Sequence, residues 1–211
     1  MNAEALREQL LATARAMNSH GLNQGTSGNV SVREQEGFLI TPSALPYERC
    51  QPADLVWVDM QGHAQGARRP SSEWRMHRDI YMHAPQAGAI LHAHSLYCTT
   101  LACLERPIPA FHYMVAMAGG DSIRCAPYAT FGTQELSDAA VAALRDRSAT
   151  LLGHHGMICY ADDLEQVLAL AVEVETLARM YLQALQVCEP PRLSAAAMAE
   201  VLERFSSYKT V

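Results

Sequence analysis

Over residues 1–22 the apolar positions Leu6, Leu10, Leu11, Ala14 and Met17 recur at three- and four-residue intervals, while Glu4, Arg7 and Glu8 fall elsewhere. That spacing predicts an amphipathic helix with one buried stripe. The period then changes. Gly21, Gly25 and Gly28 punctuate a loop, after which residues 30–33 and 37–41 alternate on either side of a charged turn, the pattern of a β-hairpin. Residues 55–59 predict a third strand, residues 87–94 a fourth in which Ile90 and Leu91 run into two histidines, and residues 149–152 a fifth. Helical spacing returns over residues 71–82, 133–145 and 162–187, the last stopped by Pro190-Pro191, with a short helix over 194–205. Strands in hairpins with helices between them predict an α/β fold, an antiparallel or mixed sheet with helices packed on it. No repeat or low-complexity linker interrupts the pattern, so residues 1–211 are expected to form a single domain.

Composition narrows the function classes. The 211 residues are 49% hydrophobic and 18% charged, the profile of a compact globular chain. Lys and Arg number 16 against 22 Asp and Glu, a formal charge of −6 with no basic surplus for a nucleic acid or an anionic membrane surface. The longest apolar stretch, residues 167–180, is interrupted by Glu173, Glu175 and Arg179, which removes a transmembrane reading. Six cysteines without a Cys-x-x-Cys pair, and an N-terminus unlike a secretory signal, point to reduced thiols in the cytoplasm.

The histidines carry the strongest chemical signal. In Leu91-His92-Ala93-His94 two imidazoles lie two apart on a predicted strand and so share a face, a geometry suited to one metal ion. Gly153-His154-His155-Gly156, just past another predicted strand, can turn a third imidazole toward it, and spacing alone does not separate His154 from His155. Three histidines with an open fourth position form the ligand set of a catalytic zinc, although imidazole also suits other divalent first-row metals. Pro70-Ser71-Ser72-Glu73 opens a predicted helix whose free N–H groups and hydroxyls suit a phosphate. The turns Gly25-Thr26-Ser27-Gly28-Asn29 and Thr41-Pro42-Ser43-Ala44 offer further donors. Glu73 stands where a metal and a phosphorylated substrate are both within reach, the place of a general base. His77 and His83 on the same helix read as packing or surface residues. Signatures of P-loop, Rossmann, zincin and α/β-hydrolase chemistry are missing.

Taken in order, Gly25-Thr26-Ser27-Gly28-Asn29-Val30-Ser31, Ile40-Thr41-Pro42-Ser43-Ala44-Leu45-Pro46-Tyr47, Pro70-Ser71-Ser72-Glu73, His92-Ala93-His94 and His154-His155-Gly156 resemble the class II aldolase/adducin family. Phe111-His112-Tyr113-Met114 and Cys125-Ala126-Pro127-Tyr128-Ala129-Thr130-Phe131-Gly132-Thr133 are similar to its ketose-1-phosphate aldolase branch. The resemblance implies a three-layer α/β fold with a central, mostly antiparallel β-sheet flanked by helices. It implies Zn2+ on His92, His94 and His155, with Glu73 as a ligand that leaves to act as base, and Tyr113 as the acid. The implied phosphate pocket comprises Thr26, Gly28, Asn29, Ser43, Ala44, Ser71 and Ser72. The implied assembly is a C4 homotetramer in which a neighbouring subunit lends residues such as Tyr113, Phe131 and Tyr208. The implied reaction is reversible cleavage of a ketose 1-phosphate, of the L-fuculose 1-phosphate type, into dihydroxyacetone phosphate and a small aldehyde. The alternatives are a 5-deoxyribulose or 5-methylthioribulose 1-phosphate aldolase, a pentulose-phosphate 4-epimerase, and a non-enzymatic adducin-like binding module. Glu73 stands where the epimerases usually carry Asp, which favours the aldolase. Ala44 departs from the glycine common in the family, and its methyl would resist a positive φ.

Overall fold

A computed structural model describes residues 3–208, with side chains described as far as residue 205. In chain order the elements are α1 (Ala3–Ser19), β1 (Asn29–Glu34), β2 (Gly37–Ile40), β3 (Val56–Asp59), β4 (Ala64–Gln65), α2 (Trp74–His83), β5 (Ala89–Ala93), α3 (Leu96–Cys103), a 3₁₀ segment (Tyr113–Ala118), β6 (Arg124–Ala126), α4 (Gln134–Ala143), β7 (Ala149–Leu152), β8 (Gly156–Ala161), α5 (Leu164–Leu185) and α6 (Ala195–Tyr208). The strands form one sheet in the order β4-β3-β2-β1-β5-β8-β7-β6. Every pairing is antiparallel except β6 with β7, which α4 joins by a crossover. The edge strands β4 and β6 are two and three residues long, leaving little unpaired backbone.

Alternation along the strands sorts side chains into two cores. Val30, Val32, Leu39, Ala89, Leu91, Leu151 and Met157 face α1, α3 and α5. Phe38, Ile40, Val56, Val58, Ile90, Leu152 and Ile158 face α2 and α4. The result is the helix–sheet–helix layering expected. The helix stripe Leu10, Leu11, Ala14 and Met17 is buried as its spacing predicts. Among the described residues no helix is long and apolar enough to cross a membrane.

Several elements escaped the pattern, each for a physical reason. The strand β8 is central and its first four residues are buried, so it lacks the alternation of a half-exposed strand. In α3 apolar and polar residues show no helical face. What fixes its start is tertiary: Glu175 of α5 accepts hydrogen bonds from Ser95 Oγ (2.7 Å), Tyr97 N (2.8 Å) and Cys98 N (2.9 Å), placing a carboxylate at the positive end of the helix. The helix expected from residue 71 begins three residues later, and Ser71 and Ser72 lie in the turn before it.

Candidate metal centre

Strand register brings the site together. Asn29 of β1 pairs with His92 of β5, which pairs with Ile158 of β8. His92 lies near the end of β5 on the side facing α2, in line with Ile90, and His94 follows just past the strand. The third imidazole arrives through the loop Gly153-His154-His155 joining β7 to β8, closed by His155 N–H on Leu152 O at 2.9 Å. Within it His154 holds a left-handed φ of +53°, a conformation His tolerates better than most residues. The turn sends the two rings to different places. His155 joins His92 and His94 with ring centroids 4.7 and 4.8 Å away, whereas His154 is half exposed, 3.4 Å from Glu105 and edge-on to Tyr128. A Cβ on Gly156 would lie 2.4 Å from Ala93 O, so only glycine lets this turn approach β5 so closely.

Glu73 immediately precedes α2 and supplies the fourth group. Its Oε2 is 3.1 Å from His92 Nε2 and its Oε1 is 3.3 Å from His155 Nε2, while His94 Nε2 is 3.0 Å from His92 Nε2. One ligand atom from each of the four residues lies within 4.8 Å of all the others. His92 Nδ1 sits 2.8 Å from Met157 O and donates to it, which leaves Nε2 as the inward lone pair. Glu73 Oε1 is buried without a hydrogen-bond partner. Inward-facing imidazole nitrogens around an unpartnered carboxylate oxygen are lone pairs in need of a shared cation, and the set fits a divalent metal.

The electrostatics agree. Burial opposes the charge on Glu73, but His92, His155 and the Asn29 amide outweigh it and hold the carboxyl well below the usual range. Burial, followed by the charge of His92, pushes His94 and His155 down to about 4, so both are neutral ligands at pH 7. For His92 the penalty of burial is outweighed by Glu73, and its value is raised. Burial takes His77 down to about 3. A histidine whose folded value is depressed contributes stability that is present above its unfolded value, near 6.5, and lost as pH falls toward the folded value. Metal-free protein is therefore expected to lose stability between pH 6.5 and 4, at up to about 1.4 kcal/mol per pH unit for each such imidazole. Urea midpoints across that window check it. His92 works in the opposite sense only above pH 6.5.

A pocket of about 330 Å³ opens over the cluster. Thr26, Gly28, Asn29, Ser43, Ala44, Ser71 and Ser72 all line it, with Glu73, His94 and His155. Ser27, Pro42, Tyr128, Ala129 and His154 line it as well, which motif reading did not single out for this wall. Phe131, in the turn before Gly132, also lines this pocket and is largely exposed. Tyr113 is half exposed and does not line the pocket, and the Tyr208 side chain lies outside the described residues. Ala44 sits at φ +56°, the left-handed conformation its methyl should resist. That conformation costs an L-residue about 1–2 kcal/mol, part of which is offset because glycine makes the unfolded chain more flexible. Ala44→Gly is thus expected to stabilise the protein by about 0.5–1 kcal/mol, read from its denaturation midpoint.

Fold and site together define a protein with a cluster able to hold a divalent metal at the base of an open, hydroxyl-lined pocket. Residues 8–182 match the class II aldolase and adducin N-terminal domain, and the chain belongs to that family. Its histidine–glutamate cluster and its relatives place it among the aldolases of the family. It is 53% identical over 204 residues to a 5-methylthioribulose-1-phosphate/5-deoxyribulose-1-phosphate aldolase of Rhodospirillum rubrum, covering 97% of this chain and 92% of that one. It is 50% identical over 209 residues to an L-fuculose phosphate aldolase of Escherichia coli K12, covering 99% and 97%. A solved structure of an L-fuculose 1-phosphate aldolase superposes with a TM-score of 0.94 at 37% identity, over 98% of either chain.

Proposed function

We propose that this chain is a zinc-dependent aldolase that reversibly cleaves a ketose 1-phosphate of the L-fuculose 1-phosphate type into dihydroxyacetone phosphate and a small aldehyde. The observation that carries the reading is the convergence of Glu73, His92, His94 and His155 at the base of a pocket walled by Thr26, Ser43, Ser71 and Ser72. His92, His94 and His155, with Glu73, would hold the zinc, which when bound supplies a Lewis acid that polarises the ketone and stabilises charge next to it. Other divalent first-row metals fit the same donors.

The chain's own groups do the rest. The hydroxyls of Thr26, Ser43, Ser71 and Ser72, with the turn amides at Gly28, Asn29 and Ala44, hold the phosphate, the end that does not react, and so fix the carbonyl above Glu73. In the condensation direction Glu73 takes the proton from the carbon beside the carbonyl, and that carbon forms the new bond to the aldehyde. A tyrosine then donates its proton to the aldehyde oxygen. Tyr113 is assigned that part, and because it stands away from its own pocket it serves a neighbouring copy in a C4 homotetramer. Tyr208 and the rim residue Phe131 bound the aldehyde end. The reading takes residues 1–211 as one catalytic domain working in the cytoplasm, with a small sugar phosphate as its partner.

The Rhodospirillum rubrum relative supports a second reading for the aldehyde half only, a 5-deoxy- or 5-methylthio-pentulose 1-phosphate. Both readings use the same three-carbon phosphate and the same base. Aldehyde release from L-fuculose, 5-deoxyribulose and 5-methylthioribulose 1-phosphates, with metal-analysed protein before and after chelation, tests them together. Zinc-restored cleavage of at least one is expected. Cleavage that survives complete metal removal would sink the mechanism, and the ranking of the three substrates decides between the aldehydes.

A further inference from the structure

Behind Glu73 runs a line of buried polar side chains that the proposed reaction leaves unused. Helix α2 and the residue before it present Glu73, His77 and Tyr81 at four-residue intervals, and β1 presents Asn29, Ser31 and Arg33 at two-residue intervals. Four helical residues advance about 6 Å and two strand residues about 6.6 Å, so the rows mesh in step. Asn29 Nδ2 lies 3.0 Å from Glu73 Oε2, Asn29 Oδ1 is 2.5 Å from His77 Nε2, Ser31 Oγ is 2.7 Å from His77 Nδ1, and Ser31 Oγ is 2.9 Å from Tyr81 OH. Arg33 closes the far end, its guanidinium over the Tyr81 ring and Nη2 donating to Tyr81 O at 3.0 Å. Ser31 and His77 are fully buried, Tyr81 is 1% exposed and Asn29 3%.

The donors in this line are fixed by what each group can do. A carboxylate only accepts, so Asn29 turns its amide N–H to Glu73 and its carbonyl to His77. His77 Nε2 therefore carries the proton. With the ring neutral, Nδ1 accepts from the Ser31 hydroxyl, and Ser31 Oγ in turn accepts from Tyr81. Every bond donates toward Glu73, and such chains strengthen one another in a dry interior.

We infer that His77 is a positioning residue for the base: by locking the Asn29 amide it holds Glu73 Oε2 beside His92 and leaves Oε1 turned to His155. Without the His77 N–H, the Asn29 amide is free to flip and bring its oxygen against the carboxylate. The inference rests on the reading of Glu73 above, and it extends to how that carboxylate meets a metal.

The test compares His77→Leu with His77→Gln, whose terminal N–H reaches toward Asn29 Oδ1, each made with Glu73 and again with Glu73→Gln. Turnover and KM of aldehyde release are measured, and zinc affinity is measured without substrate by competition with a chromophoric chelator. His77→Leu is expected to lower kcat and zinc affinity about 10- to 100-fold each, the usual scale for losing a group that orients a metal ligand, with KM changed less than about threefold. His77→Gln restores most of both. On the Glu73→Gln background His77→Leu costs less than about threefold more, because two residues acting through one contact are not additive. Equal losses on both backgrounds, no loss at all, or a glutamine no better than leucine would overturn the inference. If His77→Leu does not fold, Ser31→Ala decides: it must lower kcat with Glu73 present and not with Glu73→Gln. A wild type without lyase activity would sink the function reading instead, and the zinc affinities would still judge His77.

Discussion

Glu73→Gln is expected to keep zinc and to lose turnover by about 10³-fold, within the range that a positioned general base contributes. The substitution is nearly isosteric. Its amide oxygen can take the Asn29 N–H that Oε2 now accepts at 3.0 Å, and its NH2 group then faces His155, 3.3 Å from where Oε1 stands. Three imidazoles remain for the metal, so zinc content measured by atomic emission should stay near one per chain. What disappears is the lone pair able to take a proton, because an amide nitrogen is not basic. Phosphate contacts lie elsewhere in the pocket, so KM should move little, the pattern of an interaction realised only in the transition state. A glutamine variant with the parent rate would remove Glu73 from the mechanism.

His155→Ala is expected to weaken zinc binding by more than the ~10- to 100-fold that losing an outer-shell partner costs, whereas His154→Ala leaves it unchanged. The two residues are sequence neighbours flanked by glycines, so the comparison isolates direction rather than composition. The ring of His155 is within 4.9 Å of both other imidazoles, and that of His154 points to Glu105 and Tyr128 on the rim. Removing one of three imidazoles takes away one of the four converging donors and leaves a gap where His155 Nε2 stood, so the ion is held by fewer, less closely matched ligands. His154→Ala should act, if at all, through the pocket rim and therefore on KM. Isothermal titration of both variants with zinc separates the outcomes, and equal affinities would contradict the assignment of His155.

The strand carrying the histidines was legible because it is short, apolar and ends in a His-x-His pair, whose two-residue period has a single geometric meaning. Ser71, Ser72 and Glu73 were legible as a cluster, although α2 begins after them. The Asn29–His77 contact was open to reading too: polar Asn29, Ser31 and Arg33 alternate along β1, and Glu73, His77 and Tyr81 repeat every fourth residue. Neither row shows a partner until the two are laid together. The strand β8 was missed because burial on both faces erases the alternation by which strands are recognised. With it went the pairing that seats the third ligand.

The amino-acid sequence alone determined the donors, the hydroxyl-rich turns, the layer pattern and the family resemblance, since side-chain chemistry and local period are written in the order of residues. Tertiary structure decided which of His154 and His155 turns inward, how Ala44 bends into a left-handed turn, that Phe131 lines the pocket, and that His77 stands behind the base. Those depend on register across β1, β5 and β8 and on the angle of one three-residue loop, which are set by pairing between distant segments, Asn29 with His92 and Ala89 with Ala161, rather than by any local preference.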